Sequence, residues 1–417
     1  MIVRIPCSNP NCNHLILPET AAATGGQCRP CVNAEQRKAY LAEIERNRKE
    51  VNLYDPHDSA LNWLKLSLTP RKHDPLISYT ACPKTRQQLL ARLNPNELDE
   101  LRDTAIANLI ENPHFAENIL RYLSSFTQLN LLPVLPYLLN NHDYSFEQLF
   151  RYADNAITEK LIERVEQADE YQNLCLIALA WVNTPQAHQA FLKWQTQPPA
   201  WLKQPSLPLN QYTAYAHWQL DTLGNYQPLT FEPCYAIRVR STVEQTAIGY
   251  LDKTLEACPC CTMPLETLAR INPSQLGWVT AAQWEFLVCQ YCTPFQEVTF
   301  FELDAQGCGH WSSYNATTHH SNTADPESAW EAFDLVIAEQ RPAIERSDQF
   351  LPEDYSQVGG FPHWVQDCYY PNCPQCTQTM QFTAQLATDE FSSGVEGTFY
   401  TYICVNCSIT ASHYQQT

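Results

Sequence analysis

The residues best equipped for chemistry in this chain are cysteines, and twelve of its 18 fall into spaced pairs. Cys258-Pro-Cys-Cys261 is followed by Cys289-Gln-Tyr-Cys292, and Cys373-Pro-Gln-Cys376 by Cys404-Val-Asn-Cys407. In both sets 27 residues separate the pairs, and each cysteine of the second set lies 115 positions after its counterpart. A CxxC turn presents two thiolates to one metal, and two such turns complete a tetrahedron around zinc. The usual gap between zinc knuckles is shorter, so a small hairpin or strand excursion must fill each of these. Nearer the start, Cys7-x4-Cys12 and Cys28-Arg-Pro-Cys31 stand 15 residues apart, the spacing of a zinc ribbon. Three structural zinc sites, each of four cysteines, are expected. His14 is close enough to substitute as a ligand, but four cysteines already fill its shell.

The remaining candidates are weaker. Cys308-Gly-His310 with His319 or His320 could supply three ligands of an open metal site, as a metal-dependent hydrolase would need. The surrounding Gly307, Gly309, Ser312, Ser313 and Asn315 read instead as a solvated loop. Cys260 and Cys368 adjoin the tetrads and could exchange into them, although CxxC geometry prefers Cys258 and Cys261. Cys82 and Cys234 have no partner pattern, and Cys175, between Leu174 and Leu176, reads as a small core residue. No Walker loop, GxSxG, HExxH or GxGxxG motif occurs, and the chain is read as a non-enzyme.

Composition sets the context for these sites. With 417 residues, 44% hydrophobic and 17% charged, the chain is globular and long enough for two or three domains. It opens without an apolar leader and holds no long apolar run, so a cytoplasmic location without a membrane span is expected. In a reducing compartment CxxC pairs read as metal ligands; redox dithiols are disfavoured because no thioredoxin-like βαβ pattern surrounds them. The net charge is −19, and from Phe231 onward six Lys/Arg face 22 Asp/Glu. That balance argues against nucleic acid and suits a protein partner with a basic surface; ordinary solubility charge is the plain alternative.

The elements that must position the cysteines divide into three stretches. Residues 1–50 form a zinc ribbon plus a connector helix from Asn33 to about Val51, packing through Tyr40, Leu41 and Ile44. Residues 51–230 are α-helical. They are irregular to about residue 92, then form helices over 94–198, including 131–139, 146–153 and 157–168. The arrangement reads as a HEAT-like repeat region, with a compact bundle as the alternative. The Pro- and aromatic-rich stretch 196–230 marks a boundary. Residues 231–417 are β-rich, with strands around Ile237, Phe301 and Tyr400 and one helix from Pro326 to Gln340 that turns Trp330, Phe333, Val336 and Ile337 inward. The fold class is multidomain α+β, its C-terminal domain carrying duplicated four-cysteine zinc knuckles.

The second cysteine set has a longer signature. Val358-Gly-Gly-Phe-Pro-His-Trp-Val-Gln366 precedes Cys373-Pro-Gln-Cys376, and Met380-Gln-Phe-Thr-Ala-Gln-Leu386 and Gly397-Thr-Phe-Tyr400 precede Cys404-Val-Asn-Cys407. This resembles the bacterial YwqG-like family and, more distantly, the C-terminal zinc domain of programmed cell death 2 proteins. The first relation implies an immunity protein that neutralises a bacterial toxin effector, including type VI secreted toxins; the second implies a chaperone for a basic ribosomal protein. Within this signature Gly359-Gly360-Phe361-Pro362 reads as a hairpin stiffener, or alternatively as a peptide-binding lip.

Overall fold

The computed structural model describes residues 4–144, 146–182, 184–203, 207–239, 247–249, 252–279, 281, 283–316, 335–342, 355–390 and 396–416. The chain forms two compact units, Met1–Ile119 and Leu120–Thr417, each combining helices with strands.

In the first unit, β1 (Ile5–Pro6) and β2 (Leu15–Ile16) pair antiparallel. Helix α1 (Pro18–Thr24) ends at Gly25, whose φ of +62° supplies the left-handed cap that glycine adopts most readily. Helix α2 (Arg29–Asn47) starts four residues earlier than expected, because Cys28 takes the cap and Pro30 sits in the first turn, where no amide donor is needed. The packing expected of Tyr40 and Leu41 is not found: they are 57% and 53% exposed, and only Ile44 is buried. A thin apolar stripe among so many charged neighbours covers one residue, and α2 is anchored through the ribbon at its start.

Strand β3 (Lys49–Val51) pairs in parallel with β4 (Ile77–Tyr79). Between them α3 (Ala60–Leu68), capped by Ser59, buries Leu61, Leu64 and Leu68. Helices α4 (Arg86–Leu90) and α5 (Pro95–Asn108) each begin with a capping box, Thr85/Gln88 and Asn94/Glu97. Helix α6 spans Pro113–Phe126.

The second unit continues with a 3-10 turn, Leu132–Val134, leading into α7 (Leu135–Asn140). The α-helix expected over 146–153 is instead a 3-10 segment, Glu147–Tyr152. Three consecutive side chains there, Gln148 to Phe150, are buried, which defeats a single 3.6-residue stripe. Helices α8 (Asn155–Gln167), α9 (Gln172–Trp181), α10 (Pro185–Thr196) and α11 (Leu209–Tyr215) follow, α8 packing against α9 and α10, and α9 against α11. The Pro-rich stretch is folded: Tyr212 and Trp218 are buried, and the Trp218 indole donates to the Ala180 carbonyl at 2.7 Å. It continues into the hairpin β5 (Trp218–Leu220) and β6 (Tyr226–Pro228).

The remaining strands are β7 (Cys234–Val239), β8 (Ala247–Gly249), β9 (Asp252–Ala257), β10 (Pro264–Ile271), β11 (Trp284–Val288), β12 (Thr299–Leu303), β13 (Gly309–Trp311), β14 (Leu335–Arg341), β15 (Gln357–Val358), β16 (Gln381–Ala387), β17 (Thr398–Cys404) and β18 (Ile409–Gln415). Nine of them form one sheet in the order β13-β12-β18-β17-β16-β15-β7-β14-β8, and β11-β10-β9 form a second. Leu268, Ile271, Trp284 and Phe286 of the small sheet meet Ile237, Val358, Leu386 and Phe399 of the large one in a shared core. The Thr410 and Ser412 hydroxyls tie the sheets together by donating to the Glu285 and Leu287 carbonyls, at 3.3 and 2.8 Å.

The helix expected from Pro326 to Gln340 is corrected over its end, where Leu335–Arg341 is strand β14. Leu335 and Val336, adjacent in sequence, are both buried, and Ile337 pairs with Ile237 of β7. A Leu-Val-Ile run between two partner strands goes into the sheet, whatever helical spacing it also satisfies. Trp330 and Phe333 lie outside the described residues. Among the described residues no helix is long and apolar enough to cross a membrane.

Candidate metal centres

The folding brings the twelve paired cysteines together as three tetrads: Cys7, Cys12, Cys28 and Cys31; Cys258, Cys261, Cys289 and Cys292; Cys373, Cys376, Cys404 and Cys407. Within each tetrad all four sulfurs lie within 4.8 Å of one another. Measured edges are 3.9 Å for Cys7–Cys31, 3.6 Å for Cys12–Cys28, 3.8 Å for Cys258–Cys292, 3.4 Å for Cys261–Cys289 and 3.6 Å for Cys376–Cys404. A disulfide needs sulfurs about 2.05 Å apart, so these pairs are thiols. A tetrahedron with metal–sulfur bonds of about 2.3 Å has edges of about 3.8 Å. The donor sets fit one metal ion each.

The first tetrad is positioned by a short ribbon and a helix start. The Cys7 amide donates to the His14 carbonyl at 2.9 Å, closing the β1–β2 turn. Cys28 caps α2 and Cys31 lies in its first turn, where the helix dipole favours a thiolate. The Cys28 amide donates to the Cys7 sulfur at 3.1 Å and the Asn9 side-chain amide to the Cys31 sulfur at 3.3 Å. Such N–H···S contacts spread the charge of a metal-bound thiolate and fix its direction. His14 stands with Nδ1 at 3.2 Å from the Cys12 sulfur, outside the tetrad but touching it.

The other two tetrads share the hydrogen-bonding pattern of their knuckles. Each 27-residue gap holds an antiparallel hairpin, β10–β11 in one and β16–β17 in the other. In the first knuckle the Thr262 amide bonds the Cys258 carbonyl at 2.8 Å, and in the second the Thr377 amide bonds Cys373 at the same distance. The two threonines adopt φ of +64° and +63°, and each hydroxyl donates to the preceding cysteine carbonyl at 2.6 Å. The closing pairs match as well, with Cys292 amide to Cys289 carbonyl at 3.2 Å and Cys407 to Cys404 at 3.3 Å. The hairpins differ in surroundings: β10–β11 belongs to the three-stranded sheet and β16–β17 lies inside the nine-stranded one.

Packed thiols compete for protons. The hydrogen bond from Cys289 holds the Cys258 thiol's pKa well below its ordinary value, and the same contact pushes that of Cys289 up. Cys7 falls to about 7, led by the Asn9 amide, while Cys31 rises to about 12 against Cys28. A metal that binds such a set must displace the remaining protons, so loading weakens in acid.

The other sequence candidates are placed differently. Cys260 is buried beside the middle tetrad, 3.7 Å from the Ala316 carbonyl, and takes no part in the four. Cys308 is exposed, and its thiol is raised by desolvation first and then by Asp304 and Glu285. Both ring nitrogens of His310 face carboxylates, Nδ1 at 3.2 Å from Glu256 and Nε2 at 3.6 Å from Asp304. His319 and His320 lie outside the described residues. Cys234 is buried, its thiol donating to the Gly359 carbonyl at 3.4 Å, and Cys175 is a core residue of α9. The Gly359-Gly360 turn opens the long connection between β15 and its antiparallel neighbour β16. It takes the chain out of β15, its amides bonding Thr383 at 2.7 Å and Phe231 at 2.8 Å. Sequence reasoning missed the supporting residues, because Asn9 and the two threonines carry no motif of their own.

No family profile matches this chain, and no solved structure does. It is 36% identical over 429 residues to the uncharacterized protein YpfL of Salmonella typhimurium, an alignment that spans 99% of both chains. Identity at that level over the full length carries the fold with it, and the chain belongs to the YpfL family.

Proposed function

We propose that this chain is a zinc-stabilised cytoplasmic binding protein that holds a basic protein partner, and that it acts as an immunity protein neutralising a toxin effector. Zinc is the metal best suited to four thiolates in a closed tetrahedron, and a closed shell leaves no position for substrate, so its role is structural. Reduced thiols of this kind belong in a reducing compartment. The observation that carries the partner reading is the distribution of charge. The unit Met1–Ile119 holds 14 Lys/Arg and 14 Asp/Glu and is formally neutral, whereas the second unit holds 12 against 31 and bears the entire net charge of −19. The toxin itself comes from the YwqG-like resemblance.

The same charge supports a second reading, a chaperone for a basic ribosomal protein. Affinity purification of the tagged chain from its own cell separates the two. A stoichiometric partner encoded beside it, together with toxin sensitivity on deletion, is expected. A co-purifying ribosomal protein, with a growth defect in the absence of toxin, would replace the immunity reading.

A further inference from the structure

A cavity of about 390 Å³ opens in the second unit, with Tyr355, His363, Trp364, Asp389, Glu396 and Thr398 among the residues that line it. Its walls are set by buried polar side chains. Gln385, wholly buried on β16, donates to the Tyr355 carbonyl at 2.6 Å and accepts from the His363 amide at 2.8 Å, so one side chain places two aromatic residues. The Tyr400 hydroxyl donates to the His363 carbonyl at 2.6 Å and accepts from the Val365 amide at 3.0 Å. The Tyr355 and His363 rings stack with centroids 5.4 Å apart, and Trp364 lies against Tyr400 at 4.9 Å.

The charge at the cavity has one sign. Glu390 is taken up by the amides of Tyr355 and Ser356, while Asp389 and Glu396 are exposed. No Lys or Arg lines the cavity, and none occurs at any of the 71 positions from 347 to 417. Among the described residues no cation pairs with Asp389 or Glu396. An anion would meet both carboxylates. A metal ion would find no group of three ligand atoms among the described residues here. An organic cation fits: its flat or alkylated face lies on aromatic rings and its N–H groups reach carboxylate oxygens.

We propose that this cavity binds an organic cation, a guanidinium or alkylammonium head, between the aromatic walls and the carboxylates of Asp389 and Glu396. The head belongs either to an arginine or lysine side chain of a protein or to a free polyamine. The inference goes beyond the neutralising role, since a basic partner could dock elsewhere on the second unit.

The test is isothermal titration of the full-length, metal-loaded protein with N-acetyl-arginine amide, N-acetyl-lysine amide and spermidine, and with N-acetyl-glutamine amide as the neutral control. Saturable binding of a cationic probe is expected, with no binding of the control. The double variant Asp389→Asn/Glu396→Gln, exposed at both positions, is expected to weaken binding roughly tenfold with unchanged melting and metal content. Tighter binding of the capped amino acids assigns the cavity to a protein side chain, and tighter binding of spermidine to a polyamine. Failure of every cation to saturate, or equal binding by the double variant, overturns the proposal. Co-purification by the double variant reports separately on the partner: a partner retained while cation binding is lost places the docking surface elsewhere and leaves the cavity assignment standing.

Discussion

His217 shows how single residues set the chemistry of the second unit. Its ring stacks on Phe361 at 4.6 Å and meets the edge of Trp181 at 5.5 Å, with Nδ1 2.9 Å from the Tyr370 hydroxyl. Burial pushes its pKa down from 6.5 to about 3, so the folded protein keeps it neutral. The unfolded chain takes up a proton as pH falls below 6.5 and the folded chain does not, so stability is complete above that pH and drains away toward pH 3. Between neutral pH and about pH 5 this one group should cost roughly 2 kcal/mol. His217→Asn removes the titration and tolerates the residue's φ of +66°. Urea midpoints for the variant should therefore fall less on acidification than those of the parent, and equal slopes would refute the assignment. Gly359 makes a steric point at the same scale. With φ of +71°, an added Cβ would lie 2.7 Å from the Trp278 ring and 2.8 Å from the Phe231 and Pro233 carbonyl oxygens. Gly359→Ala should lose roughly 2–4 kcal/mol in chemical denaturation, because backbone oxygens cannot step aside.

At the scale of elements, the knuckle before the hairpin in each of the two later tetrads meets the knuckle after it at the hairpin's open end, so a metal held there would be coupled to strand pairing. Cys404→Ser should lower the melting temperature of the second unit by more than about 10 °C and release one metal, since a structural ion supplies folding energy directly. A folded variant that melts like the parent would remove the metal from the stabilising role. The spacing of the cysteines made these hairpins legible in the sequence: 27 residues suit two strands and a loop, and a repeat at 115 positions predicts the same geometry twice. Caps were legible for the same reason, as Asn94-Pro95 with Glu97 can start a helix in only one way. Strand β14 was not, because Leu335, Val336 and Ile337 satisfy a helix face and a strand equally until β7 and β8 are known to flank them. Nor was the cavity, whose walls come from segments around residues 355, 363, 389 and 397 that are joined by Gln385, Tyr400, Glu390 and Thr388, none of which carries a motif.

For the whole molecule, the concentration of all net charge in the unit Leu120–Thr417 predicts how the proposed basic partner would arrive. Its association rate should fall by about tenfold between roughly 50 mM and 500 mM salt, while dissociation changes little, as expected for long-range steering that salt screens. Salt-independent association in stopped-flow mixing would remove charge from recognition. The mixed helix-and-strand class and the three cysteine tetrads were legible because residue patterning and cysteine spacing are local information. A partner surface is not, since charge alone names a sign and no molecule.

The most direct measurement is the metal content of the purified full-length protein, by elemental analysis and by native mass spectrometry under non-reducing conditions. Three zinc ions per chain are predicted, with two remaining in Cys404→Ser and no disulfide mass loss in the parent. Fewer than three tightly held ions, a different metal, or cysteines recovered as disulfides would contradict three structural zinc centres.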